Sequence, residues 1–366
     1  MNPYVELGLR PVINAAGAMT YLGASVLDPE VAETVAQATQ HFVDLAELQA
    51  AVGRRLAEAA GAEAGLAVAS AAAGIATAVA ASITGDDEGA VALLPDWPGP
   101  RRRVVLPKAH AVSFGAPVTQ MIRLGGGRPV EIGQVNRFAP REFERALEED
   151  AAAAFYVVSH HAGSEGAPPL ERFVALAHAH AVPVLVDAAA EVDLRRYVAA
   201  GADLVVYSGH KAVRGPTSGI LVGRADLVRA AAIHQSAGIG RAMKVGKEQM
   251  AGLVRAVERY LARDPVAQSA LWAGTVARME ARLAGAFDTE RTGEPHRGIV
   301  RLTLRGSADW AARLVAALEA GTPSVHTRRH EVAAGRVTLD PRFLTPADTE
   351  TVCDRLLALA AAQVAP

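Results

Sequence analysis

Between about residue 66 and residue 223, short apolar runs alternate with stretches of helical spacing. The runs are LAVAS, RVVLPK, AAFYVVSH, VPVLVDA, ADLVVYSG and SGILVG, each of strand length and bounded by turn formers. Strands that are apolar at successive positions are buried on both faces, which is the pattern of a mostly parallel sheet covered by helices. The predicted fold class is therefore α/β. Leu170 to His180 reads as one covering helix, with Pro168 and Pro169 ahead of it and Pro183 just before the next strand. Residues 84–103, TGDDEGAVALLPDWPGPRRR, are rich in turn formers and charge and read as an exposed loop or insertion.

From about Lys247 the texture changes to a long helical pattern, QMAGLVRAVERYLAR. Strand-like IVRLTL and GRVTLD follow, and a helix near Asp348 to Gln363 ends the chain. The expected division is an N-terminal segment over 1–30, a large domain over 31–246 and a smaller α+β domain over 247–366. No repeat of fixed period is present.

Composition narrows the function classes. The 366 residues carry 37 basic and 39 acidic side chains, a formal charge of −2, with 5% aromatics. That balance lacks the basic surplus of a dedicated nucleic-acid binder. The single cysteine, Cys353, excludes an internal disulfide scaffold and a thiolate-rich metal site, and makes a reducing cytoplasm the expected compartment. The opening MNPYVELGLRPVINAAG shows neither a leader pattern nor an apolar stretch of about 20 residues, so neither export nor a membrane span is expected. The alanine-rich run from Ala67 to Ala81 is helix and packing composition. A small-molecule enzyme is the leading class.

The strongest chemical signal is VPVLVDAAAEVDL followed by GADLVVYSGHKAVRGPTSGILVG. Asp187 ends one buried strand, and Lys211 follows the next. In open α/β sheets the carboxyl ends of strands meet at the ligand crevice, so the two side chains are expected in one site. Pyridoxal 5'-phosphate chemistry needs such a pair: an amine to form the Schiff base, and a carboxylate to keep the pyridine nitrogen protonated. A dianionic phosphate also needs backbone N–H donors at a helix start. Ser70, Ala71 and Ala72, after LAVAS, fit that need; small-residue helix packing is the other reading.

The string Ser208-Gly209-His210-Lys211, with Gly215-Pro216 downstream, resembles the cofactor-lysine motif of fold-type-I pyridoxal-phosphate enzymes of the class-V aminotransferase and cysteine desulfurase group. The selenocysteine-synthase-like (SelA-like) branch, which includes D-glucosaminate-6-phosphate ammonia-lyase, is more similar. The resemblance extends through VINAAGAMTYLGAS, FVDLAELQAAVGRRLAEAAGAE, GIGRAMKVGKEQMAGLVRAVERYL and GRVTLDPRFL. It implies that Lys211 and Asp187 are catalytic, that Ser70, Ala71, Ala72, Ser208 and His210 hold the cofactor phosphate, and that His110 stacks on the pyridine ring. His160 stands where desulfurases carry an asparagine. Ala190 replaces their glutamine, so His160 either takes over a cofactor contact or is a structural histidine.

The resemblance further implies that Arg328 binds the substrate carboxylate, with Arg329 as an adjacent competitor. Asn14 and Thr20 belong to an N-terminal segment that folds over the site in similar enzymes; turn formation is their other reading. Lys244, in a stretch with Arg241 and Lys247, meets a substrate anion or is solvated helix-start charge. Other signals are set aside. Gly238-Ile239-Gly240 and Gly246-Lys247 do not complete nucleotide motifs. Ser164, Asp187 and His210 stand in hydrolase order but without the helix a nucleophile elbow opens. His178 and His180 do not share a helix face, so no metal is expected, and Cys353 in a helical pattern argues against desulfurase chemistry.

The expected protein is a cytoplasmic homodimer or higher homo-oligomer with shared active sites, acting on a small amino substrate. The expected reaction is α,β-elimination of the ammonia-lyase type on a 2-amino acid or amino-sugar acid. Selenium transfer is the alternative within the branch; it calls for a tRNA-binding domain, for which the family core, beginning near Met1, leaves little room. Transamination, racemisation and a noncatalytic cofactor-binding homologue are the remaining alternatives.

Overall fold

The computed structural model describes residues 2–159 and 166–364. It divides into two compact units, Leu27–Leu261, and Met1–Val26 with Ala262–Pro366. The strands in chain order are β1 (Val12–Ala15), β2 (Ala64–Val68), β3 (Arg103–Pro107), β4 (Arg128–Ile132), β5 (Ala151–Val157), β6 (Val184–Asp187), β7 (Leu204–Ser208), β8 (Gly219–Gly223), β9 (Asp288–Glu294), β10 (Ile299–Arg305), β11 (Ser324–Thr327) and β12 (Arg336–Leu339).

In the larger unit seven strands form one sheet in the order β2-β8-β7-β6-β5-β3-β4. Strands β4, β3, β5, β6 and β7 are mutually parallel, and β8 returns antiparallel between β7 and β2. The predicted mostly parallel sheet is present, built from the apolar runs. Strands β6, β7 and β8 are buried at every position, which is why they are written in continuous Val, Leu and Ile.

Helices cover both faces. Helix Ala71–Thr84 buries ten of its fourteen residues, and Gly74 lets it lie close: an added Cβ would stand 2.9 Å from Val206 Cγ1. The alanine run is thus a close-packing surface. On the opposite face Phe143, Phe173 and Leu56 lead the core, each buried side chain contributing roughly 1.5–3 kcal/mol.

Two expectations change. Residues 84–103 contain a helix, Glu88–Leu93, whose first turn is capped by Asp87 Oδ1 accepting from Gly89 N at 2.9 Å and Ala90 N at 3.2 Å. Arg102 then ties the segment down by donating to the carbonyls of Pro95, Trp97 and Gly126. The segment is anchored by contacts its turn-rich composition does not reveal. Helix Lys247–Leu261 belongs to the larger unit, where Met250, Leu253, Ala256 and Val257 are buried and Gly252 lies against Val35 and Pro216. The division therefore follows Leu261 rather than preceding Lys247.

In the smaller unit β1 pairs in parallel with β11, so the N-terminal residues supply a strand rather than a separate segment. Strands β9, β10 and β12 form an antiparallel sheet over a core containing Trp310, Leu314, Met279 and Cys353. Burial pushes the Cys353 thiol up to about 11, which keeps it protonated and unreactive. Among the described residues, no helix is long and apolar enough to cross a membrane.

Candidate active site

Strand register brings the first group of residues together. Val157 at the end of β5 pairs with Asp187 at the end of β6, and Asp187 pairs with Val206 on β7. The Asp187 carboxylate is buried and Oδ1 accepts from Ala189 N at 3.0 Å. Burial pushes its pKa up, while the Ala189 N–H and the positive charge of Lys211 pull it down; the net direction is upward. A buried carboxylate in that condition is set to be stabilised by a further cationic or N–H partner.

Two residues beyond Val206, β7 ends in Ser208 and the chain turns through Gly209, His210 and Lys211. Gly209 N donates to Ser218 O at 2.9 Å and Gly215 N to Gly209 O at 2.7 Å, closing the loop that carries half-buried Lys211. A Cβ on Gly209 would press on Ser218 Oγ and Leu253 Cδ1, so a larger residue here would force both side chains to move. His210 is partly buried, and burial followed by the nearby Lys211 charge lowers its pKa, favouring the neutral ring.

A second group converges on the same end of the sheet. Val68 pairs with Gly219 and Gly219 with Ser208, so the β2 end, the β8 start and the β7 end lie side by side. Helix Ala71–Thr84 begins there. Gly219 permits its approach, since an added Cβ would stand 2.6 Å from the Ser70 carbonyl carbon and oxygen. Ser70 caps the helix, its Oγ accepting from Ala73 N at 3.0 Å. The first-turn N–H groups of Ala71 and Ala72 have no intrahelical acceptor. The Ser208 hydroxyl is buried and has no hydrogen-bond partner among the described residues. Helix dipole, N–H donors and hydroxyl together make a cradle suited to a phosphate.

His110 follows β3 and is 1% exposed. Its Nδ1 accepts the Val157 N–H at 3.2 Å, which places the ring proton on Nε2, and burial lowers its pKa to about 4. Tyr156 meets the ring edge-on, centroids 4.4 Å apart at 85°. The sequence reading did not single out Tyr156, whose only signal was its place in AAFYVVSH.

The basic stretch divides by role. Lys244 and Arg241 are exposed, whereas Lys247 Nζ donates to Ala38 O at 2.5 Å and His41 O at 2.6 Å and is committed to packing. His160 and Ser164 lie outside the described residues.

The smaller unit separates the two arginines. Arg329 is exposed and ion-paired with Glu319, while Arg328 is largely buried beside Asp340. Asn14 is occupied by its own turn: Oδ1 accepts from Ala16 N at 2.9 Å and Gly17 N at 3.1 Å, and Nδ2 donates to Gly17 O at 3.0 Å. Thr20 is exposed at the start of a short 3-10 turn.

A family model described as SelA, L-seryl-tRNA selenium transferase, matches residues 12–279. The chain belongs to the SelA family. Within it, the chain is 41% identical to a D-glucosaminate-6-phosphate ammonia lyase of Salmonella typhimurium, covering 98% of each chain. It is also 41% identical to a 5'-C-glycyluridine monooxygenase-decarboxylase of a Streptomyces species, covering 96% of this chain and 90% of the other. A solved D-glucosaminate-6-phosphate ammonia-lyase superposes with TM-score 0.92 at 40% identity over 99% of both chains. A structure of serine palmitoyltransferase with PLP matches at TM-score 0.60 and 17% identity, over 96% of this chain and 88% of that one. This SelA-family chain has the fold of the type I pyridoxal-phosphate enzymes.

Proposed function

We propose that the protein is a pyridoxal-phosphate-dependent ammonia-lyase that removes the α-proton and a β-hydroxyl from a 2-amino-sugar acid carrying a phosphate. The observation that carries this reading is the near-complete match, in sequence and in fold, to the ammonia-lyase. The residues fit the cofactor: the buried Ser208 hydroxyl, without a partner among the described residues, and the Ala71 and Ala72 N–H groups suit its phosphate, and the desolvated Asp187 carboxylate suits its ring nitrogen.

When bound, the cofactor's conjugated ring accepts the electron pair left when the substrate's α C–H bond breaks. Asp187 would face the ring nitrogen and favour its protonated form, strengthening that electron demand. Lys211 would hold the cofactor through Nζ, and that amine, when free, would take the substrate's α-proton. It returns that proton to the departing β-hydroxyl, so the substrate loses one water; hydrolysis of the remaining C–N bond releases ammonia and a 2-keto-3-deoxy acid. Neutral His110 presents an aromatic ring held by Val157 and Tyr156. Arg328 is the carboxylate anchor, and Lys244 an exposed cation for a second substrate anion.

Ammonia and keto-acid release from D-glucosaminate-6-phosphate by the holoenzyme tests the reaction. Borohydride reduction followed by peptide mass mapping tests the tether: the cofactor mass should appear on the Lys211 peptide. Retention of a reducible cofactor adduct by Lys211→Ala would sink the assignment. The equal identity to the monooxygenase-decarboxylase supports a second reading, an oxygen-dependent decarboxylation. Oxygen consumption with carbon dioxide release, in place of ammonia release under nitrogen, would select it. Selenium transfer has less support, since the two relatives matched over nearly the whole chain carry other activities. Exposed Phe42, Val43 and Leu45 support a homo-oligomer, and the single cysteine supports a reducing, cytoplasmic location.

A further inference from the structure

The smaller unit gathers guanidinium groups around one carboxylate. Asp340 is fully buried; Oδ2 accepts from Arg301 Nε at 2.7 Å and Arg342 Nη2 at 2.8 Å, and Oδ1 from Arg342 Nε at 2.8 Å. Arg301 reaches on to Glu294 at 2.7 Å, which Arg297 also meets at 2.8 Å. The guanidiniums of Arg297, Arg301, Arg328 and Arg342 thus face two carboxylates, Glu294 and Asp340. Burial pushes both carboxyls up, but the arginines prevail and hold each at about 2. Both are ionised at neutral pH, so among these six described side chains two positive charges are in excess.

Arg328 is the member of the cluster with the loosest hold on either carboxylate. Its Nη1 lies 3.9 Å from Asp340 Oδ2, outside hydrogen-bond reach, and among the described residues its one side-chain hydrogen bond is a long one, 3.4 Å, to Ala16 O. Burial, then the facing charge of Arg301, lowers its pKa, so its cationic form gains from an added anion. Gly17, at φ +88°, lets the main chain pass over the cluster; an added Cβ would stand 2.9 Å from Asp340 Oδ2.

We propose that Asp340 is a positioning residue for Arg328. Saturated by Arg301 and by the bidentate grip of Arg342, it holds the Arg328 guanidinium at ion-pair distance, 3.9 Å, without a direct hydrogen bond, and so leaves that group's donors for the substrate carboxylate. This rests on the reading of Arg328 as the carboxylate anchor. An Asp340 free to close on Arg328 would instead force the substrate to displace direct hydrogen bonds between the two.

The test is steady-state kinetics of the holoenzyme on D-glucosaminate-6-phosphate with Arg328→Lys, Asp340→Asn, Arg342→Gln and the two doubles containing Arg328→Lys. Each single change should raise KM by about tenfold or more with kcat within about threefold, and neither double should exceed Arg328→Lys alone. A purely structural role would lower the active fraction and leave KM alone. If Asp340→Asn does not accumulate as folded protein, Arg342→Gln carries the same comparison. An unchanged KM in Arg328→Lys, or no turnover by the unaltered enzyme, would overturn the underlying reading and this inference with it. A raised KM in Arg328→Lys beside an unchanged KM in Asp340→Asn and Arg342→Gln, or doubles that multiply, would overturn the positioning role alone.

Discussion

His110 Nδ1 accepts the backbone N–H of Val157, the residue that pairs across the sheet with Asp187. One hydrogen bond therefore fixes the ring's tautomer and ties it to the strand end beside the buried carboxylate. Protonating Nδ1 breaks that bond and places a charge where burial opposes it.

Acid should therefore weaken the fold before any carboxylate of the arginine cluster titrates. His110 and His234, the latter buried against Thr84 with Nε2 2.9 Å from its hydroxyl, are both lowered to about 4 by burial. A folded pKa below the unfolded value means that the unfolded chain binds more protons between the two. Their contribution is complete above about pH 6.5 and is lost as pH falls toward 4, by at most about 3 kcal/mol for each group. Thermal unfolding from pH 7 to 4.5 should show a falling Tm, and His234→Gln should flatten the slope. A Tm independent of pH over that interval would contradict the account.

Asp187→Asn should separate activity from stability. Loss of the carboxylate should cut kcat by about a hundredfold or more. Because burial raises the Asp187 pKa, its charge opposes folding, so the cofactor-free variant should melt at or above the parent. Calorimetry of both apo forms checks the sign.

Gly219→Ala should weaken cofactor binding by pressing on the start of helix Ala71–Thr84, at a cost of about 1–3 kcal/mol. Titration with pyridoxal phosphate followed by absorbance reads the loss. Gly274→Ala is the opposite control: it is exposed in helix Pro265–Leu283 with nothing within 4 Å of an added Cβ, and should stabilise by about 0.5–1 kcal/mol.

Lys247→Ala should destabilise the fold by about 1–3 kcal/mol through the lost bonds to Ala38 and His41, seen as a lower Tm, with KM unchanged. Lys244→Ala should leave Tm alone and raise KM for the phosphorylated substrate. Exchange of these two outcomes would reverse the roles assigned to the pair.

Much of the larger unit was legible because β6, β7 and β8 are buried on both faces, so their apolar runs carry no ambiguity of face. Asp187 and Ser208 stood out because polar residues that end such runs must lie at strand ends. Long-range pairing stayed hidden. Nothing local tells that Val12 pairs with Ser324, that Arg102 reaches three carbonyls, or that Glu319 takes Arg329 and leaves its neighbour Arg328. Asp340 was passed over for the same reason: its partners Arg301 and Arg342 are joined to it by sheet pairing and a turn, not by a motif.

The loop that carries Lys211 is latched at its base, Gly209 to Ser218, and again across its middle, Gly209 to Gly215. A proton carrier on such a platform can swing through its own four methylenes while the backbone stays still. The catalytic cycle proposed above then needs no loop refolding between turnovers, and the entropy of motion resides in a single side chain.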